Sequence, residues 1–159
     1  MRKGLKVKLV LMLVGCLLVG NVTVSAKESG FVEVPQNQIV IVPENESSVE
    51  TRASASLSGC VLEIGVASNG IQLSFRTRAT QTADEIGVKN VVLQEKVWYG
   101  WKNITLDSRY VRNSDIYTGG VIYTDAKKGT TYRVYCTHYA IFDGTELTLY
   151  SESSEITYN

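Results

Sequence analysis

From residue 54 onward the chain contains no proline, and its apolar residues fall in short alternating runs separated by Gly, Asn, Asp and Ser. Runs of strand length bounded by turn residues are the signature of an antiparallel all-β domain. Ile71, Leu73 and Phe75 alternate with Gln72, Ser74 and Arg76, which predicts one strand with an apolar inner face and a polar outer one. Tyr132, Val134 and Cys136, opposed by Thr131, Arg133 and Tyr135, predict a second. Further runs at 61–66, 88–98, 121–124, 146–150 and 155–158 bring the expectation to about seven strands. Ser68-Asn69-Gly70 and Tyr99-Gly100 read as hairpin turns, because Asn and Gly tolerate positive φ. A helix over 83–97 is the rival reading there, with Ile86, Asn90, Leu93 and Val97 on one face. The β-branched Val88, Val91 and Val92, together with Gly87, favour a strand.

The region before residue 54 has a different character. Arg2, Lys3, Lys6 and Lys8 precede an almost wholly apolar run over 9–20, and Val24-Ser25-Ala26 supplies small residues for cleavage. Residues 1–26 therefore read as a signal peptide, the apolar run being shorter than the roughly 20 residues of a spanning helix. Leu13-Val14-Gly15-Cys16 is a competing lipobox-like match that would leave a lipid-anchored protein at the cell surface, although apolar residues continue past Cys16. Residues 27–53 hold both prolines, Pro35 and Pro43, among Asn, Gln and Ser, and read as a flexible polar leader. Within it the apolar stretch 38–42 is either an added edge strand or a sticky linker segment. The domain plan is thus 1–26 signal peptide, 27–53 leader and 54–159 β-domain.

Charge narrows the partners. All four charged residues of the signal segment are basic, so 12 Lys and Arg against 16 Asp and Glu remain in the mature chain, a net charge of about −4. An acidic chain with no basic cluster is poorly suited to nucleic acid, and there is no basic amphipathic helix for anionic lipid and no stable membrane span. The expected partner is an extracellular protein or carbohydrate. With Cys16 in the signal segment, Cys60 and Cys136 are the remaining cysteines of an exported chain, and a disulfide between them is the natural reading; two separate buried thiols are the alternative.

Thr130-x-Tyr132-x-Val134-x-Cys136 after the Lys128-Gly129 turn resembles the penultimate strand of fibronectin type III and immunoglobulin-like sandwiches. The resemblance implies an immunoglobulin-like antiparallel β-sandwich, with Cys136 at the second cysteine of the cross-sheet bridge and Trp98 or Trp101 as the core tryptophan. Cys60 departs from that pattern by lying on the first strand. More broadly, residues 86–94, Trp101, 129–134 and His138-Tyr139-Ala140 are similar to a group of uncharacterised secreted proteins of Gram-positive gut anaerobes. That likeness implies an exported β-domain, a domain of unknown function, and carries over no catalytic or binding residue.

No nucleophile elbow, His-Glu-x-x-His helix or phosphate loop occurs in the chain. His138, the chain's one histidine, shares parity with Val134 and Cys136, which places it on the inward face or at the strand end, and reads as a structural or partly buried residue. Asp84, Glu85, Asp143 and Glu146 could pair as glycosidase carboxylates if loops bring them together. The same acids with Asn113, Ser114 and Asp115 lack a calcium-loop spacing, so no metal and no cofactor are expected. Tyrosines and tryptophans from residue 98 onward are more suggestive, with Trp98, Trp101, Tyr135, Tyr139 and Tyr150 as candidate binding aromatics. The expectation is a secreted, non-enzymatic binding or cell-envelope interaction module. An antimicrobial or toxin-like effector is the alternative, and a small glycoside hydrolase comes after it.

Overall fold

The computed structural model describes residues 30–39 and 55–159. The expected signal peptide, the Cys16 lipobox, residues 27–29 and 40–53 of the leader, and residue 54 lie outside the described residues. Among the described residues there are eight strands: β1 (Phe31–Glu33), β2 (Leu57–Ala67), β3 (Gly70–Val97), β4 (Gly100–Leu106), β5 (Arg109–Tyr123), β6 (Thr130–Phe142), β7 (Thr145–Glu152) and β8 (Ile156–Tyr158). All pairings are antiparallel, and the strands join into one curled sheet.

The 28-residue β3 organises everything else. Along one side it pairs with β2 and then with β6; along the other it pairs with β5 and then with β4. β4 and β5 are collinear, Leu106 standing opposite Val91 and Arg109 opposite Val88, with only Asp107 and Ser108 between them. Thr77 and Gly87 would lie about 33 Å apart in a straight strand. Instead the Thr77 hydroxyl donates to the Gly87 carbonyl at 3.0 Å. β3 is therefore folded double between these residues, and its two halves face each other across the core.

Local chemistry explains the bend. The β3–β5 register slips between Arg78 and Ala83, so five residues of β3 span only two of β5. Asn113, opposite the bend on β5, takes a left-handed φ of 52°, a conformation Asn tolerates better than most residues. At Gly87 the β5 backbone comes so close that a Cβ would sit 2.0 Å from the Arg109 carbonyl oxygen, so only glycine fits. A second irregularity at Asn90, φ 51°, adds one residue to β3 opposite β6. A bulge of this kind inverts side-chain parity. Ile86 and Val88 point inward before it, and Val91 and Leu93 after it.

One core results. Ile71, Leu73, Phe75, Ile86, Val88, Leu93, Val121, Tyr132, Val134, Cys136 and Ala140 are fully buried in it. The alternation expected at 71–75 and 132–136 is present, 83–97 is strand, and both expected turns form hairpins. Of the four acids expected in loops, Asp84 and Glu85 sit in β3, which bends together with β5 without breaking, and Glu146 sits in β7; Asp143 is in the β6–β7 turn. Residues 30–39 lie against β5: Phe31 and Val34 are buried, the Phe31 ring is 5.1 Å from that of Tyr123, and Glu33 pairs with Arg109. Trp98 and Trp101 are both outside the core. Trp101 stands opposite the exposed Lys96, on the outer parity of β3, so neither tryptophan packs beside Cys136.

Candidate functional site

Outer-facing side chains are set by the hairpin register. Opposite pairs Lys96–Trp101 and Gln94–Asn103 join β3 to β4, Gln94–Arg133 and Val92–Tyr135 join β3 to β6, and Tyr135–Glu152 joins β6 to β7. One face of four strands therefore carries Trp101, Lys96, Asn103, Gln94, Arg133, Tyr135, Glu152 and Tyr150.

A hydrogen-bonded row crosses this face. The Gln94 amide donates to Asn103 Oδ1 at 2.7 Å, and its oxygen accepts from Arg133 Nε at 2.7 Å. The Arg133 guanidinium also pairs with Glu152 at 3.2 Å, and Glu152 accepts from the Tyr150 hydroxyl at 3.2 Å. Every strand of the face contributes at least one member, β7 contributing both Tyr150 and Glu152, which holds long side chains in defined rotamers on a surface where they would otherwise be mobile. The Trp101 ring lies beside the row, with Lys96 Nζ 4.5 Å and the Arg133 guanidinium 4.4 Å from its centroid. At the other end the Tyr135 and Tyr150 rings are 6.0 Å apart and inclined by 34°. Flat rings next to fixed amides and charges can stack on one part of a ligand while hydrogen-bonding another.

Of the five candidate aromatics, the structure brings Trp101, Tyr135 and Tyr150 onto this face. Tyr139 is separated from them: it is buried, and its hydroxyl donates to Glu85 at 2.7 Å. Burial, followed by that bond to Glu85, raises its pKa. Trp98 stands at the β3–β4 turn, away from the row. Gln94, Lys96, Asn103, Arg133 and Glu152 escaped the sequence reading. Counting back from a Trp98-Tyr99 turn pairs Lys96 with Trp101 and Gln94 with Asn103, whereas the Tyr99-Gly100 turn read from the sequence would have paired Lys96 with Asn103.

The candidates for bond-making chemistry are placed differently. His138 is fully buried, and burial lowers its pKa to about 4. Its Nδ1 is 2.7 Å from the Thr77 hydroxyl oxygen. Because the Thr77 proton is committed to Gly87, Nδ1 is the donor in this contact, and Nε2 is left to accept from the Cys136 thiol at 3.6 Å. A neutral imidazole enclosed in this way cannot reach a substrate. Cys60 and Cys136 are free thiols in the structure rather than the expected disulfide; the Cys136 sulfur is instead engaged with His138. Burial pushes the Cys60 thiol up to about 11 and that of Cys136 up to about 12, the nearby Cys60 adding to the latter.

The four acids do converge near the bend, but the carboxylates of Asp84, Glu85 and Glu146 each have a partner. Asp84 accepts from the Asp143 backbone amide at 2.8 Å, Glu85 accepts from Tyr139 and pairs with Arg112, and Glu146 pairs with Lys89 at 2.6 Å. Among the described residues no group of three or more His, Cys, Asp or Glu is arranged to hold a metal ion, and no helix is long and apolar enough to cross a membrane.

No family model matches the sequence, and no curated protein does. Among solved structures, wild-type OgpA from Akkermansia muciniphila is similar over 74% of this chain and 33% of its own, at 13% sequence identity and a TM-score of 0.35. The chain thus spans about a third of the length of that protein.

Proposed function

We propose that the protein is a secreted, non-enzymatic binding module that holds an extracellular ligand on the outer face of β4, β3, β6 and β7. A carbohydrate chain is the ligand class this face suits best, with a protein surface as the alternative. The observation that carries the reading is Trp101 set beside the row Asn103, Gln94, Arg133, Glu152 and Tyr150. Sugar rings offer an apolar face for stacking and a rim of hydroxyls for amides and charges, and this surface offers both complements at fixed spacing. On this reading the curled sheet serves as an immunoglobulin-like sandwich does, with its inner face spent on the core and an outer face left for recognition. Secretion is part of the proposal and rests on the signal-like residues 1–26, with lipid anchoring through Cys16 as the alternative.

Titration calorimetry against solubilised cell-wall polysaccharide, mucin glycans and extracellular host proteins tests it. Binding to one of these should weaken about tenfold or more in Trp101→Ala, the order of loss expected for a central aromatic anchor, and also in Arg133→Gln. The proposal fails if no ligand of the panel binds, or if both variants bind as the parent does.

A further inference from the structure

Trp98 and Tyr99 are the least explained residues of the molecule. Trp98 is 94% exposed and Tyr99 68%, and the two rings meet edge to face at 5.1 Å rather than packing on the core. Turn geometry does not require them. The β2–β3 hairpin closes with Ala67 opposite Gly70, and the β3–β4 hairpin with Val97 opposite Gly100. Each encloses a two-residue turn, and each following glycine has positive φ, 154° and 140° respectively. One hairpin makes this turn with Ser68-Asn69, residues that favour turns, while the other makes the same turn with two large aromatics. The second pair is therefore present for something outside the backbone.

The surroundings are basic. Lys96 and Lys102 flank the turn on β3 and β4, and both are exposed. β6 starts beside the end of β3, with Glu95 opposite Tyr132, which brings the preceding Lys127 and Lys128 to the same end. Lys127 neutralises the buried Glu95 at 2.6 Å. Lys96, Lys102 and Lys128 enter no ion pair among the described residues, while Asp125 is the acid in the loop that carries Lys127 and Lys128.

We propose that this hairpin tip docks the protein on an anionic membrane surface. Trp and Tyr favour the headgroup region, where the ring is shielded and the N–H or O–H stays hydrated. A convex tip with two rings can enter a soft interface, and the surrounding lysines complement anionic headgroups, each one near the surface contributing about fivefold in affinity. With so few groups the attachment is reversible and peripheral, not a span. Lys96 also borders the Trp101 face, so the two proposals are read through different residues, Trp98, Tyr99, Lys102 and Lys128 here and Trp101 and Arg133 there.

The test is sedimentation of the purified protein with phosphatidylglycerol/phosphatidylcholine vesicles and with phosphatidylcholine vesicles, together with tryptophan emission. The decisive variant carries Trp98→Ser and Tyr99→Asn, the turn the protein already uses at 68–69. Circular dichroism and the thermal midpoint establish that it folds as the parent does. The expected result is binding to the anionic vesicles with a blue shift of emission. The turn variant should lose about tenfold or more, Lys102→Gln with Lys128→Gln should lose roughly 25-fold, and added salt should weaken binding. Failure to sediment, equal binding to both vesicle types, unchanged binding of the turn variant, or quenching of Trp98 by a soluble glycan or protein without vesicle binding would each overturn it. None of these outcomes affects glycan binding by the Trp101 face, which the Trp101→Ala variant reads separately.

Discussion

Lowering the pH should unfold this protein partly through a single buried ring. His138 has an ordinary pKa near 6.5 in the unfolded chain and about 4 in the folded one, held down by burial. Between these two values the unfolded chain binds a proton that the folded chain refuses. Stability contributed by the neutral ring is therefore complete above pH 6.5 and falls as the pH drops toward 4. At about 1.4 kcal/mol per pH unit the loss reaches about 3 kcal/mol, a large part of the stability of a small domain. The physical reason is the geometry already described: Nδ1 donates to Thr77 and Nε2 accepts from Cys136, so a second proton on this fully buried ring would face only the weakly accepting Cys136 sulfur. Guanidinium unfolding followed between pH 7.5 and 4 measures the loss, and the same series on His138→Gln, which cannot titrate, removes the part due to carboxylates. The difference between the two curves should grow by about 3 kcal/mol across that range. Because the chain has one histidine, its imidazole resonance is unambiguous and should stay neutral from pH 8 to pH 5. A ring that titrates near 6.5, or parent and variant curves that run parallel, would refute the argument.

The remaining predictions concern the core and its irregularities. Phe75 is fully buried, and Phe75→Ala should cost about 3–5 kcal/mol in chemical denaturation; a loss under 1 kcal/mol would mean that the folded-double core is not packed as described. Asn90 holds φ 51° at the bulge, so Asn90→Gly should leave the unfolding midpoint nearly unchanged, whereas Asn90→Val should cost about 1–2 kcal/mol. The native thiols should resist alkylation: with Cys60 raised from 9.0 to about 11, its thiolate fraction at pH 8 is about a hundredfold below that of an ordinary cysteine. Iodoacetamide with mass detection should therefore label both cysteines only after unfolding. Full resistance in unfolded, unreduced protein would instead reveal a bridge.

Period-two patterning made much of the fold legible, since residues 71–75 and 132–136 bury the faces their alternation assigns. The bend in β3 left no such trace. The expected runs leave 79–82 unassigned, and Asp84 and Glu85 are expected in loops, yet β5 stays paired with β3 on either side of that corner. What makes this possible is Asn113 and Gly87, and nothing local distinguishes an Asn or Gly that bends two strands together from one that ends a strand. The candidate site was half legible for a related reason. Trp101, Tyr135 and Tyr150 stand out by residue type, whereas Gln94, Asn103, Arg133 and Glu152 are ordinary polar residues until a register across four strands aligns them. His138 was placed correctly on the inner face because parity with Cys136 suffices for that.

Folding β3 double also accounts for the proposed recognition surface lying on the second half of the strand and not the first. Both halves spend their inner faces on the same core, so each has one outer face to offer. On the first half that face is already covered near Ser74 and Gly120: the Val34 amide donates to the Gly120 carbonyl at 2.9 Å, and the Ile39 side chain lies 3.3 Å from where a Gly120 Cβ would stand. Ser74 is correspondingly buried despite its outward parity. On the second half Lys96 and Asn103 are exposed, and Trp101 and Arg133 are partly so. Segment 30–39 thus closes one outer face of the curled sheet and leaves the other available. Fixing polar side chains costs conformational entropy, and the bonds among Gln94, Asn103, Arg133, Glu152 and Tyr150 meet that cost before any ligand arrives.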